Sequence, residues 1–378
     1  MTKKYGWREL AFDIHLWLGL ASGLIVSILC FTGFLLAIHP PLKELANNEV
    51  IWKNSADTNL TLPELTAKLP EGTSYTALEI PVGTDRNWKL YQDRDVTYLD
   101  PSSGEIVGAE EAFLEGLYRT SFRLHRWMLL DQSVGRPITG LATLGFLLIL
   151  VSGLVLWCQK CWRKWRRGLL LKRGVSWKRT NYDLHLVLGI YTLIPLFVMA
   201  FTGLFWSNRP LFTTVVYGVM EGTSAPERPG RGEKNRRRRG QQREVSRNLD
   251  LPYQTILETL NSEFPEPGNL RIEFPVRGSE RVRISHTRPA GFWSIPARNT
   301  LTFDTGTGQL VEKDLFADKG RADKFLSQVK AIHVGEVWGN FSLLIYILAS
   351  FLGATLPLTG TIMWWNRVGR RWFKRKSV

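Results

Sequence analysis

One apolar run occurs twice in this chain. Residues 11–39, AFDIHLWLGLASGLIVSILCFTGFLLAIH, and residues 181–206, NYDLHLVLGIYTLIPLFVMAFTGLFW, share one plan: Asp-x-His, then Leu-Gly, then Phe-Thr-Gly. Each is apolar for about 20 residues, enough to cross a hydrocarbon core of roughly 30 Å at about 1.5 Å per helical residue. His15 lies 17 residues before Thr32 and 18 before Gly33, and His185 stands at the same distances from Thr202 and Gly203. Eighteen residues make about five helical turns, so each histidine shares a face with its distant glycine. The repeat confines the fold to a membrane helix bundle with a histidine at the same rim of two equivalent spans.

Two further apolar stretches bring the spans to four, at about 14–38, 138–158, 183–206 and 341–365. The mean hydropathy of −0.10 averages these with polar segments between them. The first span is too long for a cleaved signal and is read as a retained anchor. The net charge of +15 gains its meaning from where the charges lie. Lys3, Lys4 and Arg8 precede span 1, nine Lys and Arg from Lys160 to Arg179 separate spans 2 and 3, and six from Arg367 to Lys376 follow span 4. Under the positive-inside rule these short flanks are cytoplasmic, with both termini inside, and residues 39–124 and 207–332 face outward. In a bacterium that places the chain in the inner membrane with two periplasmic segments, and nucleic acid is excluded as a partner.

The outward segments repeat each other as well. Helical spacing over 60–69 is followed by strand-like runs at 75–81, 88–92 and 96–100, and then by the turn Asp100-Pro-Ser-Ser-Gly104. In the second segment a helix is expected over 252–264, strands at 270–274, 281–286 and 300–303, and then Asp304-Thr-Gly-Thr-Gly308. The expected fold class is therefore an α-helical membrane protein of four transmembrane helices in two pseudo-repeats, plus two small periplasmic α+β domains. The expected boundaries are span 1 at 11–39, a first outward domain at 40–120, and span 2 with its approach at 121–158. A basic loop follows at 159–181 and span 3 at 182–207. A flexible Gly- and Arg-rich linker at 221–248, a second outward domain at 249–325, span 4 at 330–366 and a basic tail at 367–378 complete the chain. Cys30, Cys158 and Cys161 are the three cysteines, none in an outward domain, so no disulfide framework is expected. The Cys158-Gln-Lys-Cys161 pair is read as two reduced thiols at a helix end.

Of six histidines, four flank spans at equivalent positions: His15 and His185 at the cytoplasmic rim, His125 and His333 at the outer one. Gly19 and Gly189 follow the first two at i+4, leaving room for close helix packing or a flat macrocycle. Two histidines on facing helices can hold a haem iron from both sides, a closed site suited to electron transfer. The competing reading makes them polar anchors at the interface. His39, followed by two prolines, is read as a span terminus that could replace His125 in the outer pair, and His286 as an ordinary surface residue. The 15 tryptophans cluster near span ends, where an aromatic belt accounts for them. No nucleophile with a base partner, phosphate loop, dinucleotide fingerprint or zinc spacing such as HExxH is present, and the spans carry no charge at mid-membrane.

His-Leu-Trp-Leu-Gly and Phe-Thr-Gly in span 1, Ile-His-Val-Gly-Glu-Val-Trp-Gly before span 4 and Leu-Thr-Gly-Thr-Ile-Met-Trp-Trp-Asn-Arg at its close resemble the PepSY-associated transmembrane family. The outward segments look like its PepSY units. The family includes inner-membrane ferrisiderophore reductases, so the resemblance implies a haem b protein, with about two haems. It also implies His15, His185, His125 and His333 as ligands of the haem iron. His125 departs from the pattern, being followed by Arg-Trp-Met where His333 is followed by Val-Gly. The expected function is reduction of a ferric siderophore docked near His125 and His333, with electrons from a cytoplasmic or quinone donor. A haem protein serving another acceptor and a haem-free scaffold are the alternatives.

Overall fold

A computed structural model describes residues 6–53, 59–68, 75–83, 85–92, 95–226, 251–275, 279–289, 291 and 295–369. Most of the expected linker and nearly all of the basic tail lie outside the described residues. In chain order the first helices are α1 (Trp7–Ala46), α2 (Asn48–Ile51), α3 (Leu62–Lys68), α4 (Ala112–Trp127), α5 (Gln132–Cys161) and α6 (Arg166–Leu169). They are followed by α7 (Trp177–Ser207), α8 (Arg209–Glu221), α9 (Tyr253–Glu263), α10 (Arg321–Val334) and α11 (Asn340–Trp364). The chain divides into two units, one formed by Met1–Pro40, Gly116–Val215 and Val329–Val378, the other by Pro41–Glu115 and Val216–Gln328.

In the helical unit, α1, α5, α7 and α11 are long and apolar enough to cross a membrane. Leu24, Leu141, Ile194 and Leu358, one from each span, are 60–76% exposed. Large aliphatic side chains on an outer surface are the expected lining against lipid, where water would penalise them. Inside the bundle, Val26 and Cys30 of α1 pack with Leu150 of α5, Leu196 of α7 and Ala349 and Leu356 of α11. Gly23 lets α1 approach Pro357 of α11, whose Cβ would lie 3.2 Å from an added methyl. All three cysteines are free.

Helix α1 does not stop at His39-Pro40-Pro41, where the sequence suggested an end, but runs to Ala46. Proline's fixed φ is itself helical, and only the two bonds back to the Leu36 and Ala37 carbonyls are lost. His125 and His333 sit near the C-termini of α4 and α10, each followed by a sharp turn into the next span. After His333 the turn uses Gly335 (φ 83°), whereas after His125 it uses Met128 (φ 54°) and Leu129 (φ 60°). The departure from the His-x-Gly pattern is thus a left-handed turn made by non-glycine residues, which costs about 1–2 kcal/mol per residue.

The other unit carries one antiparallel eight-stranded sheet. Its strands are β1 (Ala77–Ile80), β2 (Trp88–Gln92), β3 (Asp95–Leu99), β4 (Ile106–Ala109), β5 (Asn269–Glu273), β6 (Arg281–Arg288), β7 (Ala297–Asp304) and β8 (Leu310–Asp314). They are ordered β4-β3-β2-β1-β5-β6-β7-β8. The two outward segments, expected to form separate α+β domains, are joined because β1 pairs with β5, Leu78 opposite Ile272 and Glu79 opposite Arg271. An unpaired β1 would expose a row of backbone donors and acceptors, and pairing the two halves removes both inner edges. Leu62 and Leu65 of α3 and Tyr253, Ile256 and Leu260 of α9 cover Leu78, Leu90, Ile272, Ile284 and Leu301 in a common core.

The repeated turns match atom for atom. Gly104 and Gly308 (φ 78° and 69°) close bonds of 2.9 and 3.0 Å to the carbonyls of Asp100 and Asp304. Asp100 Oδ1 accepts from Ser102 N (2.8 Å), and Asp304 Oδ1 from Gly306 N at the equivalent position (3.0 Å). His286, read as a surface residue, is instead buried on β6, stacked on Phe264 at 4.6 Å, with Nε2 3.2 Å from the Glu266 carbonyl. Alternation along β6 puts it on the helix-covered side of the sheet, which the isolated histidine gave no sign of.

At the seam, Glu79 accepts from Lys89 Nζ (2.9 Å) and Tyr91 Oη (2.8 Å), with Arg271 Nη1 3.5 Å away. Burial alone would raise the Glu79 pKa, but Lys89, Tyr91 and Arg271 together hold it below the ordinary value. A carboxylate whose pKa is depressed on folding stabilises the fold above its unfolded pKa of about 4.3 and loses that contribution as pH falls through the folded value. Acidification below about pH 4 should therefore loosen the seam, and Glu79→Gln should cost about 1–3 kcal/mol at neutral pH while flattening that acid limb. Urea unfolding of the full chain at pH 7 and pH 3 checks both.

Candidate functional site: two histidine pairs

The helical unit brings together the two pairs expected from the repeat. His15 of α1 and His185 of α7 have ring centroids 6.0 Å apart at an interplanar angle of 88°. His125 of α4 and His333 of α10 are 6.3 Å apart at 61°. His39 belongs to neither pair, since it faces Tyr118 at 4.6 Å.

Each histidine docks on a different helix, and all four docking sites are built alike. His15 Nδ1 lies 2.9 Å from the Ile149 carbonyl and 3.3 Å from Ser152 Oγ. His125 Nδ1 lies 3.0 Å from the Leu29 carbonyl and 3.0 Å from Thr32 Oγ1. His185 Nδ1 is 2.8 Å from Thr359 Oγ1, and His333 Nδ1 is 3.0 Å from Thr202 Oγ1. The residue after each hydroxyl is glycine: Gly153, Gly33, Gly360 and Gly203. A Cβ there would sit 2.9, 3.4, 3.3 and 3.4 Å from Cε1 of His15, His125, His185 and His333. A Ser/Thr-Gly dipeptide on one helix thus forms a cradle for a histidine from another.

The cradle also fixes the tautomer. Each hydroxyl donates into its own helix: Ser152 to the Leu148 carbonyl (2.7 Å), Thr32 to Ile28 (2.7 Å), Thr202 to Val198 (2.6 Å) and Thr359 to Leu356 (2.9 Å). With its proton committed, the hydroxyl can only accept from the ring. Nδ1 therefore carries the hydrogen, and Nε2 of all four rings keeps its lone pair, the arrangement a metal-ligating histidine requires.

Supporting contacts reinforce the first pair. Asn181 Nδ2 donates to the Thr359 carbonyl at 3.0 Å, and Asp183, buried at the start of α7, pairs with Arg179 at 2.8 Å. A Cβ added at Gly19 or Gly189 would meet nothing within 4 Å, so the helix flank one turn beyond His15 and His185 is open. The sequence pointed to these i+4 glycines, but those that touch the imidazoles lie on partner helices. Thr32-Gly33, Thr202-Gly203 and Thr359-Gly360 stood out in the sequence, and the signal that went unread was Ser152-Gly153, which completes one Ser/Thr-Gly dipeptide per span.

Two imidazoles ligating one ion from opposite sides, with nitrogen about 2 Å from the metal, have ring centres roughly 6 Å apart. The observed separations meet this. Among the described residues no group of three or more His, Cys, Asp or Glu could hold a metal ion.

These features define a multi-pass membrane protein with histidine pairs at two levels of its bundle. The family model for the PepSY-associated TM region matches residues 12–367, and the chain belongs to that family. No curated protein matches the chain.

Proposed function

We propose that this chain is an inner-membrane b-type dihaem electron-transfer protein that reduces ferric siderophores on the periplasmic side. The observation that carries the reading is the pair of histidine pairs, each ring with Nδ1 tied to a Ser/Thr-Gly cradle and Nε2 left to ligate. His15 and His185 would hold one haem, and His125 and His333 the other. Haem held there would supply a one-electron ferric–ferrous couple.

The chain's own residues do the rest. The cradles orient the rings and raise their basicity, and hydrogen-bonded second shells of this kind govern metal affinity. Val26, Cys30, Leu150, Leu196, Ala349 and Leu356 fill the bundle with apolar atoms and no charged side chain. That filling opposes passage of water and ions along the bundle axis. From His15 to Gly33, where His125 docks, is 18 residues, or about 27 Å of helix, so the two levels lie near opposite faces of a bilayer. The charge of the flanks places the His15 end in the cytoplasm. In this reading a cytoplasmic or quinone donor would stand at the His15 end and the acceptor at the His125 end. The acceptor's iron goes from Fe(III) to Fe(II), which hard siderophore oxygens hold less well, and is released.

An absorption spectrum of the detergent-purified protein, oxidised and then dithionite-reduced, tests this. About two b haems per chain with sharp low-spin bands are expected. Reoxidation of the reduced protein by a ferric hydroxamate, with the Fe(II) trapped by a chromogenic chelator, identifies the substrate class. A quinone oxidising it far faster would instead make quinone the acceptor. Colourless protein after expression with ample haem precursor would sink the reading in favour of a scaffold. Within it, Thr359→Val should weaken haem retention at the first pair about tenfold, because His185 loses the Thr359 hydroxyl and keeps the Leu356 carbonyl alone as acceptor. Haem transfer to apomyoglobin measures the change.

A further inference from the structure

Beside the second histidine pair lies a cationic corner that the electron-transfer reading leaves unused. Arg126 and Trp127 end α4 directly after His125, and Arg136 lies in the second turn of α5. Gly135 lets these elements meet: a Cβ there would fall 2.1 Å from the Trp127 carbonyl oxygen. Thr139 Oγ1 also donates to the Arg126 carbonyl at 3.1 Å. Arg126, Trp127 and Arg136 thereby lie at one junction between α4 and α5.

Their donors are under-used. Trp127 Nε1 and Arg136 Nε are buried without a hydrogen-bond partner. Arg136 reaches only Gln132 Oε1, at 3.3 Å, and Arg126 lies over the Phe122 and Trp127 rings at 5.4 and 5.2 Å. Among the described residues neither arginine forms an ion pair with a carboxylate. Such an arrangement is costly unless an anion completes it.

The repeat shows that the turn does not need these charges. The residue after His333 is Val334, where Arg126 follows His125. Arg136 lies 17 residues before the cradle glycine Gly153, and 17 before Gly360 stands Leu343. The second half makes the same helix–turn–span with apolar side chains.

We propose that Arg126, Arg136 and the Trp127 indole N–H form a binding site for an oxyanion group, a carboxylate or phosphate, beside the His125–His333 pair. Planar bidentate recognition of either group is what arginine supplies best. The carboxylate would come from the bound macrocycle and rests on the haem reading, whereas the phosphate would come from a phospholipid headgroup and does not.

The test compares the full-length protein with an Arg126→Gln/Arg136→Gln variant, and with Arg136→Gln alone should the double variant fold poorly. Haem at the first pair in the same sample reports folding. Apo protein is titrated with protohaem and with its dimethyl ester, which lacks free carboxylates. Separately, delipidated protein is melted with and without phosphatidylglycerol. A preference of about tenfold for protohaem at the second pair, lost in the variant, assigns the carboxylate. A rise of several degrees with phosphatidylglycerol in the unaltered protein alone assigns the phosphate, and that result stands even if the chain takes up no haem. If neither ligand distinguishes the variant from the unaltered protein, there is no oxyanion site.

Discussion

If the histidine pairs hold haem as proposed, His185→Ala protein should bind about one haem per chain and the unaltered protein about two. His185 supplies one side of the first pair, 6.0 Å from His15. Among the described residues no cluster of further His, Cys, Asp or Glu offers a replacement. The remaining haem should be that of His125 and His333, with its spectrum unchanged, because its cradles at Thr32-Gly33 and Thr202-Gly203 are untouched. His333→Ala should give the complementary result. His185→Gly with added imidazole should restore the lost haem, which a purely structural role would not allow. His39→Ala and His286→Ala are the controls. Both should keep two haems, since one ring packs on Tyr118 and the other on Phe264. Pyridine haemochrome counts and a redox titration decide the matter, and two haems retained in His185→Ala would break the pairing.

The pairing of the four histidines was legible in the sequence because the spans repeat. A histidine 18 residues before a glycine, twice, specifies one face of a straight helix, and the long apolar runs leave little doubt that the helices form. What the sequence concealed was which helix each histidine touches. His15 sits on α5 and His125 on α1, contacts 134 and 96 residues apart in the chain that no local pattern encodes. The face shared by His15 and Gly33 then acquires a meaning: one side of α1 offers a ligand at one end and a cradle at the other. The same limit hid the seam of the sheet. Each segment's strands were readable from alternation and from the Asp-to-Gly turns, but the pairing of Ala77–Ile80 with residues 270–273 depends on the fold bringing both segments together. His286 was misread for a related reason, because the burial of a strand residue depends on what covers its face.

The cradle glycines should respond to alanine in an order set by the space each one has. Alanine in place of glycine inside a helix normally stabilises it by roughly 0.5–1 kcal/mol, so any loss must come from the added methyl. At Gly33 and Gly203 the nearest atom would be a histidine Cε1 at 3.4 Å, an ordinary contact. Gly33→Ala and Gly203→Ala should therefore keep both haems and melt no lower than the unaltered protein. At Gly360 the distance to His185 Cε1 is 3.3 Å, so a small displacement of the ring and a modest change in potential are expected. At Gly153 the methyl would lie 2.9 Å from His15 Cε1 and 3.3 Å from Nδ1, too close for the ring to stay. Moving it stretches the bonds to the Ile149 carbonyl and to Ser152 Oγ that hold Nδ1–H in place. Gly153→Ala should thus weaken the first-pair haem by about tenfold or more while the second pair stays loaded, and Gly153→Val should abolish it. Haem counts for the four alanine variants, taken with their melting temperatures, test the order. Equal behaviour at Gly153 and Gly203 would mean that the glycines serve helix packing alone.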